Sequence, residues 1–137
     1  MKILVPTDGS EYAMKAVNKA VEMAEKEKAE VTLMAVSYSF SLGEDEFPGS
    51  ILERLDEEAQ KALEKAKEVF NKKGISVKTV IERGAVPANN ILKKAEAEKF
   101  DLIIMGHRGK GEFPGGGIGS TAVKVVSYAP CSVLIVK

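Results

Sequence analysis

The sequence has one cysteine, Cys131, one histidine, His107, and no surplus of charge of either sign. A single cysteine excludes an internal disulfide and favours a reducing compartment, so we expect a cytoplasmic protein. Twenty basic residues balance twenty acidic ones, whereas nucleic-acid-binding domains usually carry a basic surplus. No apolar run approaches the length of a membrane span, and the run after Met1 is too short for a signal sequence. We therefore expect neither a nucleic-acid partner nor a membrane.

The residues that usually carry catalysis are also sparse. The sequence shows no paired acids at a fixed spacing, no histidine–nucleophile couple and no metal-ligand cluster. His107 has no partnered nucleophile and is weak evidence for a general base. Cys131 follows Pro130 at the start of an apolar run, where a small core residue is the simplest interpretation. These observations point away from an enzyme and allow slow hydrolysis at most.

Apolar residues alternate along the chain between short continuous runs and helical spacing. The runs predict strands at 2–6, 30–37, 75–82, 101–106 and 131–136, and the continuous apolar run at 2–6 is typical of a strand buried on both faces. Helical spacing predicts helices at 10–28, at 50–73, from Pro87 onward, and from Ser120 to before Pro130. Ser10 and Ser120 are the expected N-caps. The alternation predicts one α/β domain over 1–137, an open, twisted, five-stranded parallel sheet with helices on both faces.

Seven of the twelve glycines lie between Gly106 and Gly119, after the fourth predicted strand. In parallel sheets, ligands bind beyond the carboxyl ends of the strands where the strand order reverses. Glycine lets backbone N–H groups approach an anion without a Cβ, and a helix N-terminus favours phosphate. We interpret this stretch as a phosphate cradle; a disordered loop is the alternative.

Two familiar cradles do not fit. The P-loop needs a lysine between its last glycine and its Ser/Thr, but here Ser120 directly follows Gly119. Gly117-x-Gly119-x-x-Ala122 matches a loose dinucleotide fingerprint, but the preceding strand ends well before it. No acidic residue follows Ala122, so the match is a coincidence.

Another pattern does fit. Gly106-x2-Gly109-x9-Gly119-Ser120 resembles the spacing in the ATP-binding branch of the universal stress protein family. The segments "ILVPTDGSEYA", "GAVPANNILKKAEAEKFDLIIMGHRG" and "YAPCSVLIVK" resemble that family in the same order. The resemblance implies a Rossmann-like fold of the adenine nucleotide alpha hydrolase type. It further implies ATP at the carboxyl edge (AMP or ADP being alternatives), Mg or Mn bound through the phosphates, and a homodimer formed through the last strand, Ser132 to Lys137.

The same resemblance implies a set of binding residues. Three positions after the first strand would lie near adenine and ribose, Val36 would meet adenine through its backbone, and the main chain of Met105 would flank the nucleotide. The remaining positions would surround ribose and phosphates. The full set is Pro6, Thr7, Asp8, Val36, Met105, Gly106, Arg108, Gly109, Gly119, Ser120 and Thr121.

Several alternatives stay open. Asp8 suits either a ligand contact or an Asx-turn, and Arg108 either a phosphate contact or solvent. Tyr38 and Phe40 suit stacking on adenine or packing under the loop at 38–49, which is expected to be a surface loop. The segment "FPGGGI" (113–118) departs from the family, with Phe113 and Ile118 left as anchors. A regulatory nucleotide-binding module is the first functional interpretation. A nucleotide hydrolase or transferase of related fold is the second, and a dimeric scaffold that binds no nucleotide is the third.

Overall fold

The computed structural model describes residues 1–39, 49–109 and 117–137, in which strands and helices alternate. The strands are β1 (Lys2–Pro6), β2 (Glu30–Tyr38), β3 (Lys78–Gly84), β4 (Leu102–Gly106) and β5 (Ser132–Val136). The helices are α1 (Glu11–Glu27), α2 (Gly49–Lys72), α3 (Pro87–Ala97) and α4 (Ser120–Tyr128). None of the described helices is long and apolar enough to cross a membrane.

The strands form one parallel sheet in the order β3-β2-β1-β4-β5. The chain moves outward from β1 to β2 and β3, and then returns to the other side of β1 for β4 and β5. The order therefore reverses between β1 and β4, which is the position where ligands enter open parallel sheets. The predicted fold class is confirmed.

Each face of the sheet has its own core, because successive side chains of a strand point to opposite faces. Ile3 and Val5 of β1 pack with Phe70 of α2 and the buried side of α1, and all three side chains are inaccessible to solvent. Leu4 packs on the other face with Ile91 of α3 and the buried residues of α4. Burying each such side chain stabilises the fold by about 1.5–3 kcal/mol.

The junction between α2 and β3 explains one wrong boundary. The Gly74 N–H donates to Asn71 O and the Ile75 N–H to Phe70 O, both at 3.0 Å, and Gly74 has φ +69°. These bonds form a Schellman motif that ends the helix. Because Ile75 belongs to this helix ending, β3 begins at Lys78 and not at 75 as predicted.

Smaller differences concern the ends of other elements. β2 continues to Tyr38, beyond the predicted end at 37, because it pairs with β3 as far as Gly84. β5 begins at Ser132, one residue later than predicted. The Ser10 hydroxyl accepts a hydrogen bond from the Ala13 N–H at 3.2 Å, so its predicted N-cap role is confirmed.

Candidate functional site

A cleft of about 330 Å³ opens at the carboxyl edge between the ends of β1 and β4. That volume falls within the range of small-molecule sites. All the sequence-predicted binding residues lie in its lining. They are Pro6, Thr7, Asp8, Val36, Met105, Gly106, Arg108, Gly109, Gly119, Ser120 and Thr121. The further lining residues are Ala13, Met34, Pro87, Ile91 and Ala122.

The strand register exposes the main chain of Val36 to the cleft. β1 pairs with β2 up to Pro6, opposite Met34, and the last bond across this pair is from the Thr7 N–H to Met34 O at 2.8 Å. Because backbone groups alternate in direction along a strand, Val36 directs its N–H and C=O to the same side as Met34. β1 has ended at that level, so these groups face the cleft. β2 runs on past Val36 to Tyr38.

The turn between β1 and α1 is held by its own side chains. The Gly9 N–H donates to Thr7 Oγ1 at 3.2 Å, and the Ser10 N–H donates to Asp8 Oδ1 at 2.9 Å. The second of these is an Asx-turn, so that alternative for Asp8 is realised. Asp8 also lines the cleft, and a structural role in the turn leaves a ligand contact open.

Gly106 at the end of β4 and Gly109 just beyond it allow neighbouring atoms to approach closely. A methyl group at Gly106 would lie 2.7 Å from both the carbonyl carbon and the oxygen of Tyr12 and 2.9 Å from Ala13 N. Such a group at Gly109 would lie 2.6 Å from Asp8 Oδ2. Gly106 is therefore required for packing against α1, a reason that the anion-based interpretation of the glycine stretch did not contain.

The first turn of α4 presents backbone amides to the cleft. Gly119, with φ −70° and ψ 159°, is the N-cap, and Val123 N–H donates to its carbonyl at 3.0 Å. The predicted N-cap role of Ser120 is wrong, because Ser120 is already the first helical residue and no side-chain bond caps this helix. Amides of a first helical turn have no intrahelical acceptor, and with the helix dipole they favour an anion. Ser120 and Thr121 bring this turn to the cleft.

Arg108 is buried, with 7% of its surface exposed, so the solvent-exposed alternative is wrong. The centre of its guanidinium lies 4.8 Å from the centroid of the Tyr12 ring, and Nη2 donates to the Tyr12 hydroxyl. The His107 ring meets Tyr12 edge-on, with centroids 5.9 Å apart. The backbone N–H of His107 donates to Val136 O at 2.9 Å and so continues the hydrogen bonding between β4 and β5.

Other residues that the sequence suggested lie away from the cleft or beyond the described residues. Tyr38 is 43% exposed and does not belong to the lining, and Ile118 is equally exposed, so its predicted anchoring contact is wrong. Phe40 and Phe113, like most of the loop at 38–49 and of "FPGGGI", lie outside the described residues. Cys131 is half-buried against the core beside α3 and α4, and burial raises the pKa of its thiol.

Sequence reasoning missed the wall that α3 contributes. Pro87 and Ile91 line the cleft, and Ile91 is only 2% exposed. The sequence predicted a helix from Pro87 onward but not that this helix lines the cleft. The missing information was the strand order, which sets α3 over the face on which β1 and β4 diverge.

The protein is thus a parallel α/β domain that has a cleft at its strand-order reversal, with a helix N-terminus directed into that cleft. The chain belongs to the universal stress protein family, whose family model matches residues 1–137. A universal stress protein of Methanocaldococcus jannaschii is 39% identical over 139 residues, covering 99% of this chain and 81% of that relative.

Solved structures share the fold. A second protein of Methanocaldococcus jannaschii, whose structure served to assign its biochemical function, is 34% identical with a TM-score of 0.83, over 99% of this chain and 94% of that one. A family member from Arabidopsis thaliana, solved with AMP bound, has a TM-score of 0.75 over 100% of this chain and 91% of that one. At 17% identity, the plant protein shows the likeness of fold alone.

Proposed function

We propose that this protein binds an adenine nucleotide in the cleft and acts as a nucleotide-dependent regulatory module, with ATP as the expected ligand and AMP or ADP as alternatives. One observation carries the proposal: residues from four separate segments, selected from sequence, converge on a single cleft at the strand-order reversal. The AMP bound by the plant relative supports the choice of an adenine nucleotide.

The end of the cleft near β2 suits adenine. Met34, Pro87 and Ile91 provide apolar surface for the ring. The Val36 N–H and C=O, directed past the end of β1, form a donor–acceptor pair. Adenine presents a complementary pair, the N1 acceptor beside the N6 amino donor, whereas guanine presents a donor at N1 and an acceptor at O6. In the same orientation of the base, guanine would set its O6 acceptor against the Val36 C=O and its N1 donor against the Val36 N–H, so this orientation favours adenine over guanine.

The opposite end suits phosphate. The first-turn amides of Ser120 and Thr121 and the positive end of the α4 dipole favour a dianion. Arg108 adds a cationic group that lines the same cleft. Mg²⁺ or Mn²⁺ would be held through oxygen atoms of ATP phosphates and water. Among the described residues, no group of three or more His, Cys, Asp and Glu side chains is arranged to hold a metal ion.

Two further parts of the proposal concern assembly and location. β5 is an edge strand of half-exposed residues, and pairing with a second copy would cover an edge that otherwise stays open. We propose a homodimer through Ser132 to Lys137, and sedimentation equilibrium should give twice the chain mass. A monomer at micromolar concentration would contradict it. A cytoplasmic location remains the expectation from the lone Cys131.

Titration with nucleotide tests the central proposal. AMP or ATP with Mg²⁺ at about 100 times its Kd should stabilise the folded protein by about 2.7 kcal/mol, which raises the melting temperature by about 10 °C. GTP should give a much smaller rise, because its base edge mismatches the Val36 main chain. Unchanged melting with saturating ATP, AMP and adenosine would overturn nucleotide binding.

A charge placed in the first turn of α4 locates the site. Thr121→Glu should weaken AMP binding about tenfold or more, since a carboxylate would occupy the phosphate end. The variant should stay folded, because an acidic residue at a helix N-terminus interacts favourably with the dipole. Val123→Glu is the matched control: it adds the same charge to α4 at a side chain that is 45% exposed and outside the lining. Equal losses in both variants would contradict the proposed location.

A further inference from the structure

We propose that Tyr12 is a positioning residue that holds Arg108 in the orientation needed to bind a nucleotide phosphate. The inference rests on the proposed nucleotide binding and adds a residue that sequence reasoning did not select. Tyr12 is not part of the cleft lining, so any effect on ligand affinity must pass through another group.

The fold places Tyr12 beside the β4–α4 connection. Tyr12 is the second residue of α1, in the turn that the Ser10 cap begins. Gly106 allows the end of β4 to approach the Tyr12 main chain, where a methyl group would lie 2.7 Å from its carbonyl atoms. Two residues beyond Gly106, the chain has brought Arg108 next to the Tyr12 side chain. The same close approach that packs the core thus sets this pair side by side.

Two contacts together restrict the guanidinium. Its centre lies 4.8 Å from the Tyr12 ring centroid, and Nη2 donates to the Tyr12 hydroxyl. The cation–π contact holds the guanidinium close to the ring, and the hydrogen bond to the hydroxyl restricts its rotation. The His107 ring, edge-on at 5.9 Å, supports Tyr12 from the same connection.

The chemistry of this anchor suits phosphate recognition. Tyr12 carries no formal charge, so it orients Arg108 without cancelling the positive charge that would attract an anion. A guanidinium has five N–H donors in a rigid fork, and a bond from Nη2 to Tyr12 is compatible with a two-point contact to phosphate. A pre-oriented, buried arginine loses less side-chain entropy when the ligand binds, and this gain is specific to the phosphate.

Tyr12→Phe tests the role of the hydroxyl, and adenosine separates phosphate binding from base binding. The variant keeps the ring and loses the acceptor for Nη2. We expect its affinity for AMP, measured by calorimetry, to fall about tenfold, while its affinity for adenosine changes less than about twofold. Tyr128→Phe is the matched control, since it removes a hydroxyl from a tyrosine that is 71% exposed at the end of α4. It should leave both affinities unchanged.

Arg108→Gln and the double variant complete a cycle. If Tyr12 acts through Arg108, Tyr12→Phe should cost little further AMP affinity once Arg108 is replaced. Three results would overturn this inference: equal losses of affinity for AMP and adenosine in Tyr12→Phe, unchanged AMP affinity in that variant, or effects of the two substitutions that simply add. In each case AMP binding by the wild-type protein would still support the proposed function. Wild-type protein that binds neither ligand would overturn both, and melting curves confirm that each variant is folded.

Discussion

Two connections meet at the strand-order reversal, and they are built in opposite ways. The β1–α1 turn is held by polar side chains, with Thr7 and Asp8 accepting backbone hydrogen bonds and Ser10 capping the helix. The described ends of the β4–α4 connection rely on glycine: Gly106 and Gly109 allow close approach. The N-cap of α4 there makes no side-chain bond.

The difference shows where a ligand could accept hydrogen bonds from the backbone. In the β1–α1 turn, side-chain oxygens already accept the N–H groups of Gly9, Ser10 and Ala13. In α4, a first helical turn without a side-chain cap leaves amides directed at the cleft, where an anion can serve as their acceptor. The β1–α1 turn satisfies its own backbone and shapes the cleft, whereas the first turn of α4, whose N-cap Gly119 has no side chain to cap it, lines the cleft with Ser120 and Thr121. Substitutions in the two connections should therefore have different consequences.

Gly106→Ala should have the largest effect on stability. The new methyl group would lie within 3 Å of main-chain atoms of Tyr12 and Ala13, which cannot rotate away as a side chain can. We expect a loss of about 3 kcal/mol in the free energy of unfolding. Urea titration followed by circular dichroism measures it.

Gly117→Ala provides the matched control for that experiment. It introduces the same methyl group into the same connection, at a position where no atom of the described residues lies within 4 Å. Its stability should change by less than about 0.5 kcal/mol. If the two variants were equally stable, the close approach of β4 to α1 would not be the reason for glycine at 106.

Gly109→Ala should have an intermediate effect on stability and a clear effect on binding. Its methyl group would meet Asp8 Oδ2, the far end of a flexible side chain, so the carboxylate has to move. Movement that breaks the bond from the Ser10 N–H would cost about 1 kcal/mol. Because Gly109 and Asp8 both line the cleft, AMP affinity should fall about tenfold by calorimetry. Unchanged AMP affinity would separate this pair from the binding site.

The contrast between the connections also explains what the sequence could reveal. Helical and strand patterns predicted every described element: β1, β2 and β4 are buried along most of their length, and each helix buries one face. Ser10 was recognisable as a cap because its function depends only on residues three positions away. Local polar interactions of this kind can be predicted from a few consecutive residues.

Long-range geometry was not accessible in the same way. The packing reason for Gly106, the wall formed by Ile91 and the contact between Arg108 and Tyr12 each depend on how distant segments meet. Ser120 was misassigned because Gly119, although it offers no side-chain cap, suits an extended N-cap as well as serine does. The resemblance to the family indicated which residues gather at the site, and the sheet order determined how they are supported.

Ser10→Ala is expected to have the smallest effect on binding and is the sharpest test of the comparison. It removes the hydroxyl that accepts the Ala13 N–H at 3.2 Å and should cost about 1 kcal/mol of stability. AMP affinity should stay within about twofold of wild type, because Ser10 lies outside the lining and its bond serves the helix alone. Calorimetry at a temperature well below melting separates the two quantities. A large loss of AMP affinity would mean that the Ser10 cap of α1 also takes part in binding, and the contrast drawn between the two connections would be wrong.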